Sequence, residues 1–170
     1  MDRRAAGAEE EEEEEAGEAM QTHETTLLFV YGTLRPQLIG RAATSPPTGL
    51  VAGLASAGPA TVRGVLVDLG DYPGFVPLEA ASELAERAGL SPRVYGDLLE
   101  VSRPQLAVLD DYEECGGPHP LYRRELTTAT RQADGSDVAC WIYQYCRDIT
   151  GSAPIPSGDY AAYLTGSSPL

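Results

Sequence analysis

The sequence predicts one α+β domain in which strands outnumber helices. Its 170 residues, 42% of them hydrophobic, match the size of a single globular domain. Short apolar runs punctuated by glycine and proline recur from Leu27 onward, a pattern typical of strands joined by turns. Two segments read instead as short helices, because capping residues or stop signals lie at their ends. Mostly strands with two short helices indicate the α+β class.

The N-terminal residues 1–26 concentrate the negative charge. They hold ten acidic residues, seven of them consecutive glutamates at 9–15, and two arginines, so they carry −8 of the formal net charge of −14. Consecutive like charges repel one another and bury no apolar surface. We therefore predict a disordered acidic tail over 1–26 and a folded domain over 27–170. A partner-binding acidic arm is the alternative function of this segment.

The first part of the domain predicts two strands. The apolar run 27–31 reads as a buried strand that ends at Gly32. Residues 36–60 show no sustained period and predict an irregular connection. The run 61–69 predicts the second strand, and the turn-forming residues at 70–74 follow it.

The middle of the chain predicts two helices with a strand between them. Residues 79–89 form a short helix that stops at glycine, and 94–101 return to strand character. The second helix begins after Ser102, whose side chain can cap it, and Gln105 completes a capping box. We expect this helix to run over 102–114 and to stop at the glycine pair that follows.

The last predicted elements form a hairpin. Residues 122–131 and 138–145 read as strands, and 133–136 read as the turn that joins them. Because side chains alternate along a strand, Trp141 and Tyr143 share one face of the second strand.

The charge balance excludes several classes of function. All twelve basic residues are arginines, and they stand against 26 acidic residues. A broad attraction to nucleic-acid phosphates or to anionic lipid headgroups is therefore excluded. The absence of lysine excludes Schiff-base catalysis and the P-loop lysine. We expect no nucleic-acid partner and no membrane partner.

Cysteine and histidine usage predicts neither disulfides nor a metal site. The three cysteines, Cys115, Cys140 and Cys146, form no paired framework, and only His23 and His119 could add imidazole ligands. The apolar run 27–31 is too short to span a bilayer, and no signal-peptide pattern precedes it. We expect a reduced, cytoplasmic protein without a metal.

Glu113 is the most informative residue of the second predicted helix. At about 100° per residue, Glu113 lies about 20° from Leu106 and so falls within the apolar stripe that also contains Leu109. A carboxylate turned toward a core has a raised pKa unless donors compensate, and such a group is a candidate general base. The alternative is that the helix ends before Glu113 and the acid reaches water.

The junction after the first strand is a second candidate. Gly32 permits a sharp turn, and the successive backbone N–H groups of residues 31–34 can point into one space. Such a nest binds a carboxylate or a developing oxyanion without a basic side chain. The alternative is a glycine turn that only reverses the chain. Tyr143 could likewise present its hydroxyl at a pocket mouth or simply fill the core.

Cys115 and His119 suggest a different chemistry, since a cysteine near a histidine can act as a nucleophile. The segment lies beside two acidic residues, however. Neighbouring anions raise the pKa of a thiol, which is the wrong direction for a reactive thiolate.

Six segments of the chain occur in an order similar to that of gamma-glutamylcyclotransferase-like proteins, which include the gamma-glutamylamine cyclotransferases and the plant AIG2-like group. The resemblance extends over residues 27–164 and leaves the acidic tail outside. The segments are FVYGTL at 29–34, GVLVDLGDYPGF at 64–75, VYGDL at 94–98, LDDYE at 109–113, YRR at 122–124 and WIY at 141–143.

The resemblance implies a small mixed β-barrel-like sheet with a few short helices. It implies that Tyr31, Gly32, Thr33 and Leu34 supply backbone donors for the substrate, and that the glutamate of the Leu-Asp-x-x-Glu pattern, Glu113, is the acid and base. The family often has glycine directly after this glutamate, whereas this chain has Glu114.

The implied reaction is intramolecular. The α-amine of a γ-glutamyl group attacks its own γ-carbonyl, which releases 5-oxoproline and an amine or amino acid. No cofactor is required, and the partner is the small γ-glutamyl substrate. On this resemblance the loop donors either anchor the α-carboxylate or polarise the carbonyl. The alternative is a binding module that uses the same fold and cavity without turnover.

Overall fold

A mixed seven-stranded sheet forms the centre of the molecule in the computed structural model, which describes residues 24–38, 53–89 and 92–166. Three short α-helices within this part of the chain pack on the sheet or follow it, and a single 3-10 turn covers Pro36–Leu38. In chain order the elements are β1 (Thr25–Val30), β2 (Ala55–Asp68), β3 (Pro73–Pro77), α1 (Leu78–Ala88), β4 (Arg93–Ser102), α2 (Arg103–Tyr112), β5 (Tyr122–Arg131), β6 (Asp137–Tyr145), β7 (Ala153–Pro154) and α3 (Tyr160–Thr165).

Five of the strands close into a small barrel. β1 pairs with β4, β4 with β2, β2 with β5 and β5 with β6, all antiparallel. The ring closes where β6 pairs in parallel with β1, at Leu28 opposite Trp141 and Phe29 opposite Ile142. β3 lies between β2 and β6, and β7 pairs with the end of β2. The α+β class and the barrel-like sheet are thus confirmed.

Strand alternation divides the apolar side chains into separate clusters. One face of β1 and β6 contributes to the largest cluster, which contains Phe29, Leu98 and Ile142. The opposite face packs against α2, where Leu28 and Val30 meet the buried helix residues Leu106, Leu109 and their neighbours. A third cluster lies under α1. The predicted grouping of Trp141 with Tyr143 is confirmed, because both belong to the α2 cluster.

Most predicted elements are present with bounds shifted by one to three residues. The capping box forms as predicted, since the Ser102 hydroxyl accepts from the Gln105 N–H at 3.3 Å and Gln105 Oε1 accepts from the Ser102 N–H at 2.8 Å. The helix ends earlier than predicted, at Tyr112. Gly89 ends α1 in the left-handed conformation, with φ 62°.

Two expectations were wrong. The connection predicted over 36–60 is already strand from Ala55, and the turn predicted over 70–74 contains the start of β3 at Pro73. The two elements β7 and α3 were not predicted. Residues 1–23 of the acidic tail and 39–52 of the predicted connection lie outside the described residues.

Candidate active site

A cavity of about 260 Å³ lies where the end of β1, the start of β3 and the end of α2 meet. The six residues that the sequence and the family resemblance assigned to the site all line it, namely Tyr31, Gly32, Thr33, Leu34, Glu113 and Tyr143, whereas Cys115 and His119 do not. The remaining lining is mostly apolar or aromatic and consists of Phe29, Val30, Tyr72, Pro73, Tyr112, Glu114, Leu121 and Tyr122. The fold therefore brings together groups that are more than a hundred residues apart in the chain.

Glu113 lies directly after the last helical residue of α2. Its backbone N–H still donates to the Leu109 carbonyl at 2.9 Å, which fixes the position of the residue. The helix does end before Glu113, as in the alternative interpretation, yet the half-buried side chain lines the cavity. Burial and, secondarily, the negative charge of Glu114 raise the pKa of Glu113 to about 7. At neutral pH such a carboxyl can both accept and return a proton.

Glu114 lies next to it on the cavity lining and has an unusual backbone conformation. Its φ is 54°, in the left-handed region that favours glycine. Its carbonyl accepts from the Leu121 N–H at 3.0 Å, which closes the loop between α2 and β5. The side chain is exposed, so the chain places a second negative charge at the edge of the cavity.

Residues 31–34, hereafter the donor loop, form a turn that also lines the cavity. The Arg35 N–H donates to the Gly32 carbonyl at 3.0 Å and closes the turn. Within the described residues, the N–H groups of Gly32, Thr33 and Leu34 have no hydrogen-bond acceptor. The three residues line a cavity whose described lining includes Glu113 and Glu114 and no arginine or histidine.

Glycine is required at position 32 for a reason that sequence reasoning missed. Its φ is not positive; the constraint is instead close packing. A Cβ at this position would lie 2.8 Å from Cγ and 3.0 Å from Cδ of Pro73. The proline ring at the start of β3 thus packs directly on the donor loop.

The side chain of Tyr31 anchors the loop rather than facing a ligand. Its buried hydroxyl donates to the Tyr143 carbonyl and accepts from the Phe75 N–H at 3.2 Å. Burial, together with the nearby Glu113, raises the pKa of Tyr31 well above its ordinary value. Tyr31 therefore lines the cavity with its hydroxyl fully engaged within the protein.

Tyr143 lines the cavity, and its hydroxyl is engaged within the protein. It donates to Asp110 Oδ1 at 2.8 Å, and Arg124 donates to both oxygens of the same carboxylate, at 2.9 and 3.2 Å. The Arg124 guanidinium in turn lies 4.2 Å from the centroid of a Trp141 ring. This network fastens α2, and with it Glu113, to the hairpin of β5 and β6.

Several site residues were not found from the sequence. Tyr72, Tyr112 and Tyr122 line the cavity, and Tyr122 donates its hydroxyl to the Pro73 carbonyl at 2.8 Å. Tyr72 lies within the motif segment 64–75 and Tyr112 within the segment 109–113, and these positions could have marked both as site residues. Arg35 was also missed, although it follows the donor loop directly; it is buried and forms ion pairs with two aspartates.

The structure counts against a cysteine nucleophile. Burial, followed by the charge of Asp110, raises the pKa of the Cys115 thiol to about 12, so it stays protonated at neutral pH. His119 is exposed in the loop before β5. No group of three side chains suited to binding a metal occurs among the described residues. None of the helices in that part of the chain has the length and apolar composition to cross a bilayer.

Comparison with known proteins gives a family match and several fold matches. Residues 28–162 match a family described as gamma-glutamyl cyclotransferase, AIG2-like. The fold is similar to that of a mouse AIG2-like protein, with 23% identity, a TM-score of 0.58, and coverage of 87% of this chain and 98% of that one. No match was found among curated proteins.

Two further structures share the fold. YkqA from Bacillus subtilis has 20% identity and a TM-score of 0.54, with coverage of 86% of this chain and 44% of YkqA. A structure named gamma-glutamyl cyclotransferase has 17% identity and a TM-score of 0.51, with coverage of 78% of this chain and 73% of that one. At these identities the likeness shows a common fold, and this chain spans less than half the length of YkqA.

Proposed function

The chain belongs to the gamma-glutamyl cyclotransferase, AIG2-like family, and on this premise we propose that it converts a γ-glutamyl amine or amino acid to 5-oxoproline. The observation that carries the proposal is the arrangement of Glu113 and the donor loop. A carboxyl group with a pKa of about 7 lines a cavity of about 260 Å³ together with three residues whose backbone N–H groups have no acceptor in the described part of the chain.

The proposed reaction needs one proton acceptor. An α-amine with a pKa of about 8 is mostly protonated at neutral pH, so it must lose a proton before it can attack. Glu113 takes this proton, and the amine nitrogen then forms a bond to the γ-carbonyl carbon. As the bond from that carbon to the leaving nitrogen breaks, Glu113 returns the proton to the leaving nitrogen. The ring nitrogen loses a second proton on becoming an amide, and the released amine takes up this proton. The products are 5-oxoproline and the free amine, and water is not consumed.

The donor loop accounts for substrate orientation. A γ-glutamyl group carries an α-carboxylate, and no cationic side chain in the described residues lines the cavity to receive it. We assign this carboxylate to the N–H groups of Gly32, Thr33 and Leu34, because successive backbone N–H groups form an anion-binding concavity. Holding the substrate folded, with amine and carbonyl close together, supplies much of the acceleration in an intramolecular reaction.

The test is a panel of γ-glutamyl amines and γ-glutamyl amino acids, with 5-oxoproline as the measured product. We expect turnover of at least one class, and a loss of at least a hundredfold, the order of magnitude of general-base catalysis, in Glu113→Gln. The matched control is Asp111→Asn, which neutralises an exposed acid on α2 that does not line the cavity. Binding of panel members without product would support the alternative, a non-catalytic binding module. Turnover by Glu113→Gln within a few-fold of the wild type would remove Glu113 from the mechanism.

A further inference from the structure

Arg35 is a buried cation outside the cavity lining. Its side chain is 7% exposed and lies between two carboxylates. Nε donates to Asp97 Oδ2 at 2.8 Å, and Nη1 donates to Asp159 Oδ1 at 3.1 Å. Two anions therefore neutralise this guanidinium, and its charge is not presented to a ligand in the cavity.

The two aspartates belong to separate elements. Asp97 lies on β4 directly opposite Val30, the last residue of β1. Asp159 is the N-cap of α3, where Oδ1 also accepts from the Ala162 N–H at 3.2 Å. The residue before it is fixed to the sheet, because the Gly158 carbonyl accepts from the Tyr95 N–H at 2.9 Å. Arg35 thus ties the end of the donor loop to the barrel and to the C-terminal helix.

The donor loop is consequently held at both ends. At its start, the Tyr31 hydroxyl bonds to backbone groups of Tyr143 and Phe75. At its end, the Arg35 side chain bonds to Asp97 and Asp159. Since the loop N–H groups themselves have no acceptor in the described residues, their directions depend on these two anchors and on the turn closed by the Arg35 N–H.

We propose that Arg35 is a positioning residue, which acts through Asp97 and Asp159 to hold the donor loop in the conformation that binds the substrate carboxylate. This inference rests on the proposed function, since it assigns the loop to the γ-glutamyl α-carboxylate. It extends the site beyond the cavity to a second layer that includes α3. Arginine is required because its planar fork reaches two carboxylates at once, whereas a lysine ammonium is a single point charge.

Two substitutions weaken the anchor without leaving an unpaired buried cation. Asp159→Asn removes one of the two negative charges but keeps an N-cap for α3, since asparagine caps as well as aspartate. Arg35→Lys keeps the positive charge but loses the planar guanidinium that donates to Asp97 and Asp159 at the same time. The matched control is Asp134→Asn, an exposed aspartate that accepts from the Ser136 N–H in the hairpin turn before β6.

The readout is the split between KM and kcat for the best substrate of the panel. A displaced donor loop weakens binding of the carboxylate, so we expect KM to rise about tenfold in both variants with kcat within about threefold of wild type, on the scale of geometric misplacement. A merely structural defect reduces the folded fraction, which lowers apparent kcat and leaves KM unchanged. Asp134→Asn should change neither parameter. Unchanged KM in both variants would overturn the proposal.

Hydrogen exchange provides a test that needs no substrate. The Arg35 and Leu38 N–H groups donate within the loop and the turn after it, so they report on loop order. We expect faster exchange of these amides in both variants, with exchange in β6 unchanged. If the wild-type protein forms no 5-oxoproline from any panel member, the proposed function fails, and exchange remains as the test of the anchor. Equal exchange of the amides at positions 35 and 38 in the wild type and all three variants would overturn the proposal that the Arg35 side chain holds the donor loop.

Discussion

At the scale of single residues, Glu113 is subject to two opposing effects. Burial raises its pKa to about 7, which suits proton transfer at neutral pH. The same burial makes the ionised form costly to the folded protein. Substitution of Glu113 is therefore expected to change both the catalytic activity and the pH dependence of the free energy of unfolding.

We expect Glu113→Gln to stabilise the protein at pH 8 and to have little effect at pH 4. The folded pKa of about 7 lies above the ordinary value of 4.5, so the wild type loses stability as pH rises through this interval, while the amide does not titrate. The gain at pH 8 should be about 1 to 3 kcal/mol. Urea denaturation at both pH values measures it, with Asp111→Asn as control. An equal gain at both values would show that Glu113 does not titrate with a raised pKa.

Glu114 has two separable effects, which a pair of substitutions can distinguish. Its charge raises the pKa of Glu113, and its φ of 54° disfavours any residue other than glycine. Glu114→Gln and Glu114→Gly should both shift the rising limb of kcat/KM against pH to lower pH. Only Glu114→Gly should also stabilise the fold, by about 1 kcal/mol over Glu114→Gln. Equal melting temperatures for the two variants would argue against backbone strain at this position.

Cys115→Ala should retain activity within about twofold of wild type. Burial and the charge of Asp110 keep the thiol protonated, with a pKa of about 12, so it contributes no nucleophile. The rate of 5-oxoproline formation, compared at equal folded fraction, measures this. Complete loss of turnover in a folded variant would return the cysteine to the mechanism.

At the scale of secondary-structure elements, the helix ends that the sequence predicts correctly are those set by residues close together in the chain. The Ser102 and Gln105 capping box and the left-handed Gly89 are formed by neighbouring residues, so the start of α2 and the end of α1 are readable from the chain alone. The first half of β2 is different. Small and polar residues from Ala55 onward acquire strand structure by pairing with β4, which lies about forty residues later in the chain.

The start of β3 and the second layer of the site depend on similar non-local contacts. Pro73 and Gly74 have the composition of a turn, yet they pair with Asp68 and Val67 of β2 and are buried. The presence of Glu113 on the cavity lining could be predicted because helix geometry and motif resemblance both marked this residue, and that of the donor loop because turn chemistry and motif resemblance both marked residues 31–34. Arg35 could not, because its partners Asp97 and Asp159 become neighbours only in the fold.

The contact between the donor loop and β3 makes a prediction at this scale. Gly32→Ala should lower kcat/KM at least tenfold and destabilise the fold by about 1 to 3 kcal/mol, because the new methyl group meets the rigid Pro73 ring at 2.8 Å. Gly116→Ala is the matched control, since a Cβ there has no neighbour within 4 Å and its φ is not positive. Comparable activity of the two variants would show that the loop tolerates displacement.

At the scale of the whole molecule, more than half of the net negative charge lies in the residues that precede the first strand. Residues 1–24 carry −8 of the net charge of −14, whereas the family match begins at residue 28 and β1 begins at Thr25. The barrel closes through β1, β2, β4, β5 and β6, all of which follow the acidic segment. The segment is therefore not needed to pair any strand of the barrel.

Replacing residues 1–24 by a single methionine should leave both the melting temperature and kcat/KM essentially unchanged. The truncation retains every strand of the barrel and the cavity residues, and it removes seven consecutive glutamates, whose like charges are expected to repel one another. Thermal denaturation and 5-oxoproline formation by the two chains, compared at the same ionic strength, measure the effect, because like-charge repulsion within the removed segment is screened by salt. A fall in melting temperature of more than about 5 °C, which corresponds to roughly 1 to 2 kcal/mol for a domain of this size, would show that the acidic segment packs on the domain.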